Sequence, residues 1–157
     1  MTKLLALCDR VGIMVSAKLR AAGLNDEKLS TGVSILEERS FDWGTDPEQG
    51  TVPDVVVWPE STADVVTIME TASEHGIPVT PYAAGTSLEG NPVPAEGGIC
   101  LDVSRMDSIV DVRPDDFQID VQPGVFGSAV DEAVNDHGLF FPPLPSSGKI
   151  STIGGMV

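Results

Sequence analysis

Positive charge is what this chain has least of. Nine lysines and arginines stand against twenty-four aspartates and glutamates, a formal charge of −15, and only four of the cations are lysines. Such a field repels a nucleic-acid duplex and an anionic membrane surface, so a basic-patch binder is excluded and no nucleic-acid partner is expected. Cysteine is scarcer still. Cys8 and Cys100 form neither a CxxC pair nor a disulfide framework, and both lie in apolar runs, so they read as buried free thiols. Long apolar runs are missing too. Leu4 to Cys8 stops at Asp9-Arg10, too short for a signal-peptide core, and nothing approaches the roughly 20 apolar residues of a membrane span. We expect a soluble, cytoplasmic chain.

What is present is the composition of a folded protein: 41% hydrophobic and 21% charged residues, with sixteen glycines and twelve prolines spread between apolar runs. Many turns are implied, and a disordered chain is not. At 157 residues the chain is long enough for one core, burying roughly two-thirds of its unfolded surface. The acids are dispersed from Asp9 to Asp136 and form no tail. They read as a solvated surface suited to a salt-rich, halophilic cytoplasm, since the Debye length falls to about 3 Å at molar salt.

Leu4, Leu7, Val11, Met14, Val15 and Leu19 recur at helical spacing up to Gly23, which predicts an N-terminal amphipathic helix. Residues 24–53 are polar, broken by Asp46-Pro47 and Val52-Pro53, and read as a lead-in that wraps the rest. Val55-Val56-Val57-Trp58, bounded by prolines, reads as a strand buried on both faces. Ser61 with Asp64 forms a capping box for a helix with Val65, Ile68, Met69 and Ala72 inward and Gly76 as its stop. Ile77 to Thr80 begins a second strand, giving a βαβ unit with a parallel pair.

Ile99 to Val103 is a third strand. Ile109 to Val112 and Phe117 to Val121 read as a hairpin about Pro114-Asp115-Asp116, with Phe117, Ile119 and Val121 on one side. A further helix has Phe126, Ala129, Val130, Ala133 and Val134 inward and stops at Gly138, and Leu139-Phe140-Phe141 reads as another short strand. The fold class is α+β. The closing residues, Ser151 to Val157, look like a loop entering an apolar helix that never comes, so we expect a fragment of a longer protein.

Chemistry concentrates in the loop from Pro81 to Pro92. Small residues dominate it, and Thr86 and Ser87 sit beside Gly85, so backbone N–H groups can converge on an anion with hydroxyls adding donors. Each charge-assisted bond contributes about 1.5–3 kcal/mol, so four or five hold a pyrophosphate without a lysine. An ordinary long surface loop is the other reading of the same residues. Two nucleotide motifs are excluded: Asn91-Pro92 stands where a P-loop needs Lys and Ser/Thr, and no GxGxxG follows a strand.

Six ordered segments carry a resemblance. They are Pro53 to Thr62, Pro78 to Gly90, Gly97 to Met106, Val121 to Val125, and Gly138 to Pro142 with Thr152 to Met156. Together they resemble the FAD-binding half of the FAD-linked oxidases, the p-cresol methylhydroxylase-type (PCMH-type) fold shared with vanillyl-alcohol oxidase, over about residues 36–157. The form of the loop most resembles the branch of cytochrome-linked D-lactate dehydrogenase and the glycolate oxidase subunit. On this resemblance residues 1–50 are a helix and lead-in, 51–106 a first FAD-binding subdomain, and 107–157 a truncated start of a second, antiparallel one.

The resemblance implies a cofactor, FAD, with Ala83, Ala84, Gly85, Thr86, Ser87 and Leu88 around its pyrophosphate and Gly90 and Asn91 closing the loop. It places Pro123-Gly124 near the cofactor, although the pair equally suits a strand-end turn, and brings Pro145, Ser146, Thr152, Gly154 and Gly155 toward the flavin ring and ribityl chain. Covalent relatives attach the flavin through a loop histidine. Thr86 stands at that position, while His75 and His137 read as helix C-terminal residues, so the FAD is expected to be non-covalent. Ala83 departs from the more usual glycine.

The implied activity is oxidation of a small 2-hydroxy acid, D-lactate or glycolate, by hydride transfer from its Cα to flavin N5 and on to an acceptor other than NAD. Substrate and metal groups of that branch lie in a C-terminal cap beyond these residues, so no catalytic residue and no metal ligand is assigned, and Arg105 reads as a structural ion pair. Two alternatives stay open: a truncated, inactive FAD-binding fragment, or one subunit of a split flavoenzyme completed by another.

Overall fold

A computed structural model describes residues 2–46 and 50–157, with side chains from residue 11 onward in the first helix. The expectations for Leu4, Leu7, Cys8 and Pro47 therefore lie outside the described residues. Helix α1 spans Thr2–Ala21. Val15 and Leu19 are buried as the spacing predicts, but Met14 is exposed and Ser16 buried in its place. Gly12 explains the rotation: a Cβ there would fall 2.4 Å from the carbonyl oxygen of Asp54, so the helix lies against the chain entering the sheet along its glycine side.

The lead-in does more than wrap. After a 3-10 turn at Asp26–Lys28, Leu29–Ser30 forms β1, and Val33–Glu38 forms α2. Strand β2, Val55–Val57, pairs antiparallel with β1 and parallel with β4, Ile99–Asp102. Strand β3, Val79–Tyr82, pairs parallel with the other side of β4, so the sheet runs β1-β2-β4-β3. The expected βαβ unit is real, but its two strands are not neighbours. Strand β4, buried along its whole length, fits between them. Strand β3 ends up at the edge, where Pro81 removes no needed N–H.

Alternation then builds two cores. Val55, Val57, Ile99 and Leu101 face α1 and α3 through Val15, Leu19, Ile68 and Ala72, while Val56 and Cys100 face α2 through Leu36. Helix α3, Thr62–His75, has the predicted capping box, and Gly76 closes it in the left-handed region. Its buried stripe is Ile68, Thr71 and Ala72. Met69, expected inside, is exposed, because Thr71 takes the inward position and satisfies its hydroxyl on the Thr67 carbonyl at 2.8 Å.

A separate two-stranded sheet follows, the hairpin of β5, Ile109–Arg113, and β6, Gln118–Val121. Phe117 does not join β6: it caps the 3-10 turn at φ 54° and is 81% exposed. Helix α4, Gly127–Asn135, buries Val130 and Val134, whereas Phe126 is its exposed N-cap. Leu139 to Phe141 is not a strand. No neighbouring strand meets it among the described residues, and the Phe141 N–H donates instead to Asp131 Oδ1 at 2.8 Å. The chain then folds back onto residues 123–128 through a bridge between Phe126 and Thr152 and enters the short α5, Ile153–Met156.

Candidate functional site

The C-terminal ends of β3 and β4 open onto a cleft of about 510 Å³ between the 83–92 loop and the returning segment at 143–157. That is the usual place for a ligand in a parallel sheet, and the volume lies in the range of small-molecule sites, about 300–1,000 Å³. Ala83, Ala84, Gly85, Thr86, Ser87 and Asn91 form one wall; Pro145, Thr152, Gly154 and Gly155 lie in the other. Ten of the fifteen residues expected from the sequence thus meet around one space.

Leu88, Gly90, Pro123, Gly124 and Ser146 are not in that wall. Leu88 and Ser146 point to solvent. Gly90 is tied from behind, its N–H donating to Asp42 Oδ2 at 2.8 Å. Pro123 backs Gly154, whose N–H donates to the Pro123 carbonyl at 2.8 Å. Gly124 is packed where a Cβ would fall 2.6 Å from the Val103 carbonyl oxygen, and its N–H donates to Met106. The Pro123-Gly124 pair is placed as the turn between β6 and α4, packed against residues 103–106.

The lining has one chemical character. No charged side chain belongs to it among the described residues; the polar groups are hydroxyls, one amide and backbone. None of the backbone N–H groups of Ala84 to Ser87 donates to a protein acceptor among the described residues. Gly85 holds φ +64°, and a Cβ there would fall 2.1 Å from the Tyr82 hydroxyl oxygen, so only glycine lets the loop pass over that ring. Across the cleft the Thr152 hydroxyl is buried with no hydrogen-bond partner among the described residues. An orphaned hydroxyl costs about 1–3 kcal/mol unless something else meets it.

Sequence reasoning missed Tyr82, Ser147 and Ser151 in the lining. Tyr82 closes β3 and lies beneath the guanidinium of Arg39 at 4.8 Å, with burial pushing its phenol up from the usual value. The loop's own chemistry signalled Thr86 and Ser87. Ser147 and Ser151 are contributed only by the fold-back of the chain, which no local pattern announces. Arg105 is structural as expected: it donates to the Glu27 carbonyl at 2.9 Å and stands over the Trp58 ring at 5.0 Å.

The profile of an FAD binding domain family matches residues 53–157, two-thirds of the chain and the whole of the cleft. The chain belongs to that family. FAD is therefore its cofactor, and the cleft fits such a group. Unpaired N–H donors, hydroxyls and a glycine that admits close backbone approach suit a phosphate-bearing ligand, and no Asp or Glu side chain among the described residues stands in the wall to repel it.

The chain is 38% identical over 117 residues to the glycolate oxidase subunit GlcD of Bacillus subtilis (strain 168), covering 74% of this chain and 25% of that one. It is 37% identical over 105 residues to the cytochrome-type mitochondrial D-lactate dehydrogenase of Arabidopsis thaliana, covering 67% and 18%. Among solved structures, p-cresol methylhydroxylase with substrate bound superposes with a TM-score of 0.67 at 21% identity, over 80% of this chain and 25% of that one. That likeness establishes the PCMH-type fold. The chain spans about a quarter or less of the curated relatives' length. No helix among the described residues is long and apolar enough to cross a membrane.

Proposed function

We propose that this chain is the FAD-binding part of a cytoplasmic flavin-dependent dehydrogenase that oxidises a small 2-hydroxy acid of the lactate or glycolate type. One observation carries the cofactor assignment within it: the neutral, donor-rich cleft walled by Ala83 to Ser87 on one side and Thr152 to Gly155 on the other. The N–H groups of Ala84 to Ser87 and the Thr86 hydroxyl would hold the pyrophosphate, with Ser87 and Asn91 at the end of the loop. Thr152, Gly154, Gly155 and Pro145 would line the flavin end, where the Thr152 hydroxyl gains the partner it lacks. When bound, FAD supplies the hydride acceptor. Two-hydroxy acid chemistry is suggested by the names of the two relatives.

Binding is non-covalent in this reading, because the cleft lining offers Thr86 where a flavin-linking histidine would stand and includes neither histidine nor cysteine. The test is a titration of the full chain with FAD, followed by flavin fluorescence and then by acid precipitation. Saturable quenching is expected, with all flavin released into the acid supernatant. The Gly85→Val variant, which drives a side chain into the Tyr82 ring, loses at least tenfold in affinity. Wild-type affinity in that variant would sink the assignment. In the longer protein, anaerobic D-lactate or glycolate should bleach the bound flavin; bleaching by neither rejects the substrate class.

A second reading, a piece that needs a complement before it can turn over, has its own support. A groove of about 680 Å³ runs between the hairpin and residues 139–143, lined by Val112, Ile119, Val134 and Leu139. Phe117 and Phe140 stand beside it, 81% and 73% exposed. Turnover that appears only when a second polypeptide is added would favour this reading over an inactive fragment.

A further inference from the structure

The loop that walls the cleft is held from outside it by a residue that the sequence leaves in an unremarked polar lead-in. Asp42 lies between α2 and β2 and is 2% exposed. Its Oδ1 accepts from the backbone N–H groups of Gly44 at 3.0 Å and Thr45 at 2.7 Å, and its Oδ2 accepts from Gly90 at 2.8 Å. The Thr45 and Ser87 side chains help hold the same carboxylate below its ordinary value, and the Ser87 hydroxyl accepts from the Glu89 N–H at 3.2 Å.

The backbones also press together. A Cβ at Gly44 would fall 2.2 Å from the Leu88 carbonyl oxygen, so the lead-in lies flush against the loop with no room for a side chain. Burial pushes the Asp42 carboxyl up, but the bonds from Thr45, Gly90 and Ser87 outweigh it, and the group stays below its ordinary value and ionised at neutral pH. A buried carboxylate is expensive unless donors surround it, so this one is committed to the groups it holds. It does not line the cleft itself.

We propose that Asp42 is the positioning residue of the cofactor site: its carboxylate fixes the 87–90 end of the loop so that the free N–H groups of residues 84–87 are arrayed before the cofactor arrives. This rests on the FAD reading above. The gain is preorganisation, since a loop already ordered gives up less conformational entropy on binding. One half of the carboxylate shapes residues 42–45; the other half reaches across 48 positions of sequence to Gly90.

That division makes the proposal testable. Asp42→Asn keeps an oxygen for Gly44 and Thr45 but turns an N–H₂ group toward the Gly90 N–H. Gly44→Ala leaves the carboxylate intact and pushes the lead-in off Leu88. Full chains of wild type and both variants are compared by FAD titration and, without cofactor, by hydrogen exchange of individual segments. Expected are about a tenfold or greater loss of FAD affinity in both variants and faster exchange confined to residues 84–90, with β2 and β4 as protected as in wild type.

Wild-type affinity in both variants overturns the proposal. So does exchange that rises evenly through the sheet, or failure of both variants to fold, because Asp42 would then support the whole fold rather than the loop. Failure of the wild-type chain to bind FAD at all rejects the cofactor reading instead.

Discussion

Cys100 occupies the middle of β4 with no exposed surface, and burial, aided by the Asp102 charge and against the Arg39 cation, pushes its thiol up to about 12. A thiol so placed is neither ionised nor reachable at neutral pH. Peptide mapping after alkylation at pH 8 should therefore find Cys100 unlabelled in the native chain and labelled in denaturant; labelling of the native chain would show that the sheet opens. The thiol's burial was legible because its neighbours Ile99 and Leu101 are apolar. Gly85, Thr86 and Ser87 were legible in a different way, through residue types that suit a close backbone approach. Asp42 was not. A lone aspartate in a polar stretch is indistinguishable from a solvated one until Gly90, far along the chain, is folded over it.

Helix α3 shows what an element can announce on its own. The Ser61 hydroxyl accepts from the Asp64 N–H at 3.2 Å and Asp64 accepts from the Ser61 N–H at 3.1 Å, the reciprocal pair that the spacing predicts. Ser61→Ala should lower the stability of the chain by about 1 kcal/mol, read from a denaturant midpoint at unchanged slope. Asp64 also accepts from Lys28 at 2.7 Å across the sheet edge. Burial raises its carboxyl, but the Lys28 hydrogen bond and the backbone bonds prevail, so the folded value lies below the ordinary 3.8. A depressed carboxyl contributes stability above its unfolded value and loses it as pH falls through the folded one. Asp64→Asn should accordingly flatten the fall of stability with acid below pH 3.8 while leaving the neutral-pH slope alone. Where elements depended on partners, the sequence was a poor guide. Leu29–Ser30 is two residues long and becomes β1 only because Val56 and Val57 lie beside it. Leu139 to Phe141 has a strand's composition and no strand beside it among the described residues.

Over the whole molecule the cleft and the surface pull in opposite directions. The chain carries −15, yet no charged side chain among the described residues lines the cleft, so an anionic cofactor is met by dipoles at close range and by a repelling field at long range. The two respond differently to salt. At 0.1 M the Debye length is about 10 Å, long enough for surface charge to act beyond contact distance; at 1 M it is about 3 Å, and only charges near contact still act. The hydrogen bonds from N–H and hydroxyl groups act within contact distance and are screened far less. Raising KCl from dilute to molar should therefore tighten FAD binding severalfold. The measurement is an FAD titration at both salt concentrations, with circular dichroism to establish that the chain is folded in each. A weaker affinity in molar salt at constant fold would mean that cations elsewhere draw the cofactor in, and that the acidic surface has no bearing on how this cleft takes its ligand.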